Sequence, residues 1–301
     1  METKNNWKAW LYLAPMLLLM SVFTFYPLIN AFIISFYKGF RPLQNSIEGF
    51  TLLGNYLLIL RNPLFWNAMK NTFVIAFISV PVSIFLSLAI AVGLKSIPKL
   101  NKFFQTIFFL PYVTNSIAVG MAFAVMFHKN YGLINAILER LGFAGRIDWI
   151  GGTSSWWTQM VALLIFTVWE SLAFKILVFT SGMQNIDKQY YDAAKIDSAS
   201  KWTVFRRITV PLLSPIILYI SITSMIGALK AYNSVIGLFG IKLGNPSNSM
   251  ITIVAFVYKY RAELASPGYY SYAAASAIIL FIITVVFSLI QGVVSKKRVH
   301  Y

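Results

Sequence analysis

Glu170 and Lys175 stand inside a long apolar run, where a charge is costly enough to suggest a task. A carboxylate and an ammonium on one helix can relay a proton or an ion. Five residues of separation, however, place them about 140° apart around a helical axis, so they are not partners on one face. A structural reading stands beside the relay. In it Glu170 meets a neighbouring helix or lines a wet cavity, and Lys175 snorkels toward the inner headgroups. Lys70 and Lys230 fall near the ends of apolar runs, where headgroups can take the charge. His128 and His300 are the only histidines, and cysteine is absent. Thiolate chemistry is therefore excluded, and two histidines on opposite sides of a membrane build no metal site. No HExxH, GxxxxGK[ST] or GxSxG pattern occurs. No catalytic residue, metal ligand or cofactor site is expected in this chain.

A second group of residues suggests mechanical work. Residues 187–211 read Asp-Lys-Gln-Tyr-Tyr-Asp-Ala-Ala-Lys-Ile-Asp-Ser-Ala-Ser-Lys-Trp-Thr-Val-Phe-Arg-Arg-Ile-Thr-Val-Pro. Asp187 can cap a helix that starts at Lys188. Ala193 and Ala194 favour helix and leave room for close contact. Ser198 or Ser200 can cap a second short helix. Trp202, Phe205 and Ile208 then recur every three residues as an apolar stripe. Arg206 and Arg207 come near the end of that helix, where cations are favoured. Two short helices joined by a bend make a compact knob. Such a knob can fit a groove on a partner and pass its movement to the attached segments, or it can lie on lipid as a re-entry helix. Periodicity alone leaves both readings open.

Membrane helices must carry these residues. Hydrophobic residues make up 58% of the 301, and only 11% are charged, against about 25% in soluble domains. A soluble enzyme, a disordered chain and a nucleic-acid binder are excluded on that ground. The formal charge of +16 reflects 9 acids against 25 bases rather than long basic tracts. Six apolar runs are long enough to span, at 10–36, 68–94, 103–127, 158–180, 212–236 and 270–294. The predicted fold is an all-α polytopic membrane protein of six transmembrane helices, with 187–211 as a cytoplasmic loop between spans four and five. Pro15, Pro27, Pro81, Pro111 and Pro215 fall within these runs and mark places where the helical ladder can break.

Basic residues orient the chain. With the N-terminus inside, the inner segments hold 13 Lys and Arg in 55 positions, and the outer segments hold nine in 94. This asymmetry predicts both termini in the cytoplasm. The outer segments carry glycine-rich turns and Trp149, Trp156 and Trp157, which read as an interfacial belt.

The loop resembles the signature of permease subunits of binding-protein-dependent ABC importers, of the carbohydrate type that includes maltose and glycerol-3-phosphate permeases. That signature has Glu-Ala-Ala, then Asp-Gly-Ala two residues on, then a Phe, an Ile and a Leu-Pro. This chain has Asp192-Ala193-Ala194, Asp197-Ser198-Ala199, Phe205, Ile208 and Val210-Pro211. Leu13-Ala14-Pro15, Phe109-Leu110-Pro111 and the six-span layout extend the likeness over the whole chain. Asp192 stands for the usual Glu, Ser198 for the usual loop Gly, and Gly244-Asn245-Pro246 for an outer Gly-Gly-Pro.

The resemblance implies a prokaryotic cell-membrane subunit that forms half of a path for a sugar or sugar-derived solute. The implied partners are a second, non-identical permease, two ATP-binding subunits that hold ATP and Mg, an extracellular or periplasmic solute-binding protein, and membrane lipids. It implies no nucleic acid. Asp192, Ala193, Ala194, Asp197, Ser198, Ala199 and Phe205 become the ATPase-coupling set, and Arg206 and Arg207 contact the partner or headgroups. Ser171, Phe174 and Ser224 become path candidates, with ordinary helix packing as their other reading. Three alternatives remain: an ion-coupled secondary transporter, an ABC permease for peptides, amino acids or polyamines, and a membrane scaffold that moves no solute.

Overall fold

The computed structural model describes residues 6–97, 101–263, 266 and 268–296. His300 and both ends of the chain lie outside these residues. Among the described residues, the regular elements are helices and one small hairpin. Two compact units divide it, Met1–Phe65 with Ala255–Ile282 and Trp66–Val254 with Ile283–Tyr301.

In the first unit, α1 (Trp7–Ile34) has apolar side chains that are nearly all exposed. A helix apolar all round is suited to lipid or to burial by a partner. It runs straight through Pro15, and a π-helical turn at Ser21–Phe25 precedes Pro27. Proline removes one ladder bond, and an inserted residue in the ladder is one way to absorb that loss. A hairpin follows, pairing β1 (Tyr37–Lys38) with β2 (Gly49–Phe50), Tyr37 opposite Phe50. The buried Asn55 side chain of α2 (Gly54–Leu60) donates to Ser35 O at 2.7 Å and Tyr37 O at 3.0 Å. It thereby satisfies the carbonyl of the residue that caps α1 and one on β1. Asn62 donates to the hydroxyls of Tyr260 and Tyr272, and Phe65 meets Phe256 edge-on at 5.5 Å.

The chain's longest helix is α3 (Pro63–Lys95), which continues through Pro81. At 33 residues it is about 50 Å long, more than a hydrocarbon core requires. Then come α4 (Asn101–Val113), α5 (Ser116–Met126), α6 (Leu133–Arg140), α7 (Trp156–Gln184), α8 (Lys188–Ile196), α9 (Lys201–Leu212), α10 (Ser214–Leu229) and α11 (Asn233–Phe239). The last described elements are α12 (Ile253–Ala262) and α13 (Tyr269–Lys296). Among the described residues, four helices, α1, α3, α7 and α13, are long and apolar enough to cross a membrane. Two bent pairs, α4 with α5 at 100° and α9 with α10 at 66°, bring the number to six if each pair crosses once.

Prolines flank both sharp bends, but not every proline makes one. Pro81 and Pro15 sit in unbroken helices, whereas α4 stops at Val113, after Pro111. Asn115 makes the new start, because its side chain accepts from the backbone N–H groups of Ile117 and Ala118. The apolar run expected at 103–127 is thus two helices at a steep angle. The run expected at 212–236 also divides. Its helix ends at Leu229, and Asn233–Phe239 is a separate short helix. Hydropathy records the solvent of a segment and is blind to such breaks.

The core of the second unit holds Leu88 and Ala91 of α3, Phe179 and Met183 of α7, Leu213, and Ile220 of α10. At Gly120 and Gly237 the backbones of α5 and α11 press together, so that a Cβ on Gly120 would lie 2.7 Å from Gly237 Cα. Trp149 and Trp156 do not hang free as a belt. The Trp149 indole donates to the buried Asn135 at 3.1 Å, and the Trp156 indole to the buried Asn71 at 2.9 Å. A buried amide needs partners, and an indole N–H can serve as one. Trp157 is exposed, as a belt residue would be.

Candidate functional site

The loop after α7 folds as its sequence directs. Asp187 caps α8 by accepting from Gln189 N at 2.9 Å. Ser200 caps α9 by accepting from Thr203 N at 3.2 Å. Between them α8 closes in a Schellman motif, with Ala199 N donating to Ala194 O at 2.9 Å and Ser198 N to Lys195 O at 3.0 Å. This motif needs a left-handed residue at its turn, and Ser198 takes it with φ +54°. The bend therefore forms with positive φ, and a side chain occupies the position that suits glycine.

The knob presents one face outward. Ala193 is exposed, Ala194 is buried, and Ala199 is half-buried. Ile196 is 85% exposed and Trp202 67% exposed, with Tyr190 also open. Apolar side chains left uncovered on a capped, folded loop mark a surface built for something else to cover. Asp192 forms an exposed ion pair with Lys195 at 3.0 Å. The hydrogen bond from that ammonium holds the Asp192 carboxyl below the usual range. Asp197 follows α8 as its exposed C-cap. Arg206 and Arg207 are exposed on a π-helical turn, Phe205–Thr209.

Other side chains turn inward and bind the knob to the spans. Phe205 packs against the cluster of Leu88, Ala91, Phe179, Met183, Leu213 and Ile220. The Tyr191 hydroxyl lies 3.3 Å from Thr209 Oγ1, and the Lys95 ammonium stands 3.7 Å from the centre of the Tyr191 ring.

Deeper in the helices, the two lone charges separate. Lys175 does not snorkel. It is 4% exposed, and its Nζ donates to Ser83 Oγ of α3 at 2.8 Å. Glu170 is half-buried and accepts from the Ser116 hydroxyl at the first residue of α5. The positive end of a helix favours a carboxylate, which is a physical reason for an acid at this depth. No ion pair joins Glu170 to Lys175 among the described residues. Lys70 stacks over the Trp156 ring at 4.0 Å, and Lys230 is exposed just after α10.

Of the path candidates, Ser171 returns its hydroxyl to Val168 O at 2.9 Å, and Phe174 stacks on Tyr112 of α4 with centroids 5.6 Å apart. Glu170 and Phe174 are four apart on one face of α7, matched by Ser116 and Tyr112 across the bend between α4 and α5. Ser224 is half-buried on α10, and no hydrogen bond or ring contact joins it to Ser171 or Phe174 among the described residues. Tyr112, Asn115 and Ser116 escaped sequence reasoning. The signal available was the polar triplet Thr114-Asn115-Ser116 soon after Pro111 in a largely apolar run.

Comparison with known proteins places this geometry. Residues 83–300 match the family described as "Binding-protein-dependent transport system inner membrane component". The lactose transport system permease protein LacF of Rhizobium radiobacter is 32% identical over 96% of this chain and 94% of that protein. The arabinooligosaccharides transport system permease protein AraP of Bacillus subtilis is 33% identical over 94% of this chain and 86% of that one. A crystal structure of a bacterial ABC transporter that imports the acidic polysaccharide alginate shares the fold. Its TM-score is 0.81 at 18% identity, covering 98% of this chain and 96% of the other. The apolar helices and these likenesses agree: the chain belongs to the family of binding-protein-dependent transport system inner membrane components, and it is a permease subunit of an ABC-type importer rather than an enzyme.

Proposed function

We propose that this permease carries a sugar or sugar-derived solute, and that residues 187–211 dock on a cytoplasmic ATPase subunit. The exposed face of Ala193, Ile196 and Trp202 on a firmly capped loop is the observation that carries the docking. Asp192 and Asp197 anchor its polar edge. Ser198 and Ala199 set the bend, and Phe205 ties it to the core. Arg206 and Arg207 face headgroups or the partner.

The carbohydrate assignment is supported by relatives named for lactose and arabinooligosaccharides. Aromatic and hydroxyl groups suit a sugar, and Phe174, Ser171 and Ser224 are the path residues in this reading. Each bent pair crosses the membrane once, for six crossings with both termini in the cytoplasm. A second permease completes the path, two ATP-binding subunits supply ATP and Mg, and a solute-binding protein delivers the cargo.

A transporter purified with its partner subunits into liposomes should hydrolyse ATP faster when its binding protein is loaded with lactose or an arabinooligosaccharide, and not with histidine. Stimulation by histidine alone would overturn the carbohydrate assignment.

A further inference from the structure

The loop is held by more than the two spans to which it is covalently joined. Lys95 stands in the last turn of α3, where the helix dipole favours a cation. Its ammonium lies over the Tyr191 ring at 3.7 Å. The Tyr191 hydroxyl reaches Thr209 Oγ1, and Thr209 is buried. The ring is thus gripped on its face from α3 and at its edge from α9. Neither contact caps a helix of the loop. Asp187, Ser200 and the Schellman bonds already close both helices locally. The position of the grip is the telling feature, because Tyr191 directly precedes Asp192-Ala193-Ala194. A push on the exposed face of α8 reaches the end of α3 within one helical turn.

We propose that Lys95 and Tyr191 form a clip that makes α3 a third follower of the coupling loop, beside α7 and α10. The proposal rests on 187–211 being the ATPase contact. Lys95 and Tyr191 are positioning residues. They touch neither nucleotide nor solute, and they keep α3 in step with α8 when the ATPase subunits move. Without the clip, α8 can tip while α3 stays behind. An exposed ammonium over an aromatic ring biases such an equilibrium by about two- to fivefold.

The absence of cysteine in this chain makes the test direct. Spin labels at Ser96→Cys and Gln189→Cys, both exposed sites, report the distance between the end of α3 and α8. The assembled transporter in lipid is measured without nucleotide and after trapping with ATP and vanadate. With Lys95 present, the distance stays the same in both states. In Lys95→Gln the nucleotide-free distance is kept, but on trapping the ratio of clipped to displaced molecules falls about two- to fivefold. Lys95→Arg restores it, and Tyr191→Leu reproduces the loss should Lys95→Gln assemble poorly. An unchanged trapped distance in both Lys95→Gln and Tyr191→Leu overturns the clip. Ala193→Trp separates the two ideas. If it leaves the ATPase subunits bound, the docking reading fails, and the clip fails with it. If it releases them while Lys95→Gln changes nothing, the clip alone fails.

Discussion

Ser198 holds a left-handed turn with φ +54°, a conformation that costs a residue with a Cβ about 1 kcal/mol or more. Ser198→Gly should therefore raise stability by about 1 kcal/mol and Ser198→Val should lower it by about 1 kcal/mol, seen as a higher and a lower thermal midpoint in tryptophan fluorescence on heating. The position was legible as a bend because the spacing of the surrounding residues was familiar. The sign of φ was not, since serine is indifferent to it on paper. Lys175 carries a second residue-level expectation. Its buried ammonium donates to Ser83 at 2.8 Å, so Ser83→Ala should destabilise the protein by about 1–3 kcal/mol by removing that acceptor. Lys175→Met removes charge and need together, and uptake should persist. Loss of uptake in Lys175→Met with normal folding would favour an ion-coupled transporter.

Asp148, in the loop before α7, offers a pH signature. Burial raises its pKa, but hydrogen bonds from the Thr153 hydroxyl, Thr153 N and Gly151 N outweigh burial, and the net shift is downward. A lowered folded pKa means that this stabilisation is complete above the ordinary value of 3.8 and is lost as the pH falls through the folded value. Amide exchange at Gly151 and Thr153 should rise steeply below that pH in the native chain. Asp148→Asn should flatten the rise. An equal rise in Asp148→Asn would exclude the carboxylate as the cause.

Among the elements, apolar runs and short-range caps were readable, and contacts between distant segments were not. The helix at Lys188 and the caps Asp187 and Ser200 followed from local rules. Local rules succeed there because each cap satisfies N–H groups two or three residues away. By contrast, the π-helical turn at Ser21–Phe25, the unbroken passage of α3 through Pro81 and the separate helix α11 depend on how neighbours accept the backbone. The seat of Lys175 against α3 is a contact between residues 92 apart in sequence. Gly120 shows the same limit. As a residue in a helix it looks like a weakness, yet it lets α5 approach Gly237 of α11. Gly120→Ala should force these helices apart and lower stability by about 1–3 kcal/mol, as overpacking does. Unchanged melting would show that the two helices yield freely.

Across the whole molecule, a chain with few charges places an exposed apolar knob on one folded loop. Inward-facing side chains on the same loop join the core between α3, α7 and α10. That arrangement can receive movement on its outer face and pass it to the spans. Family membership makes solute the cargo, and in the proposed reading ATPase subunits are the source of the movement. The composition was enough to identify the membrane, and the loop spacing was enough to identify the class. The buried amides Asn71, Gln159 and Asn135 that fasten connecting segments to the helices were silent in sequence, because an isolated Asn or Gln carries no sign of its partner. The most direct test is uptake of labelled lactose into liposomes bearing the assembled transporter, with ATP inside and the loaded binding protein outside. ATP should be required, and Ala193→Trp should abolish both uptake and co-purification of the ATPase subunits while membrane insertion is kept. Uptake that persists in Ala193→Trp, or that an ion gradient drives without ATP, would contradict the account.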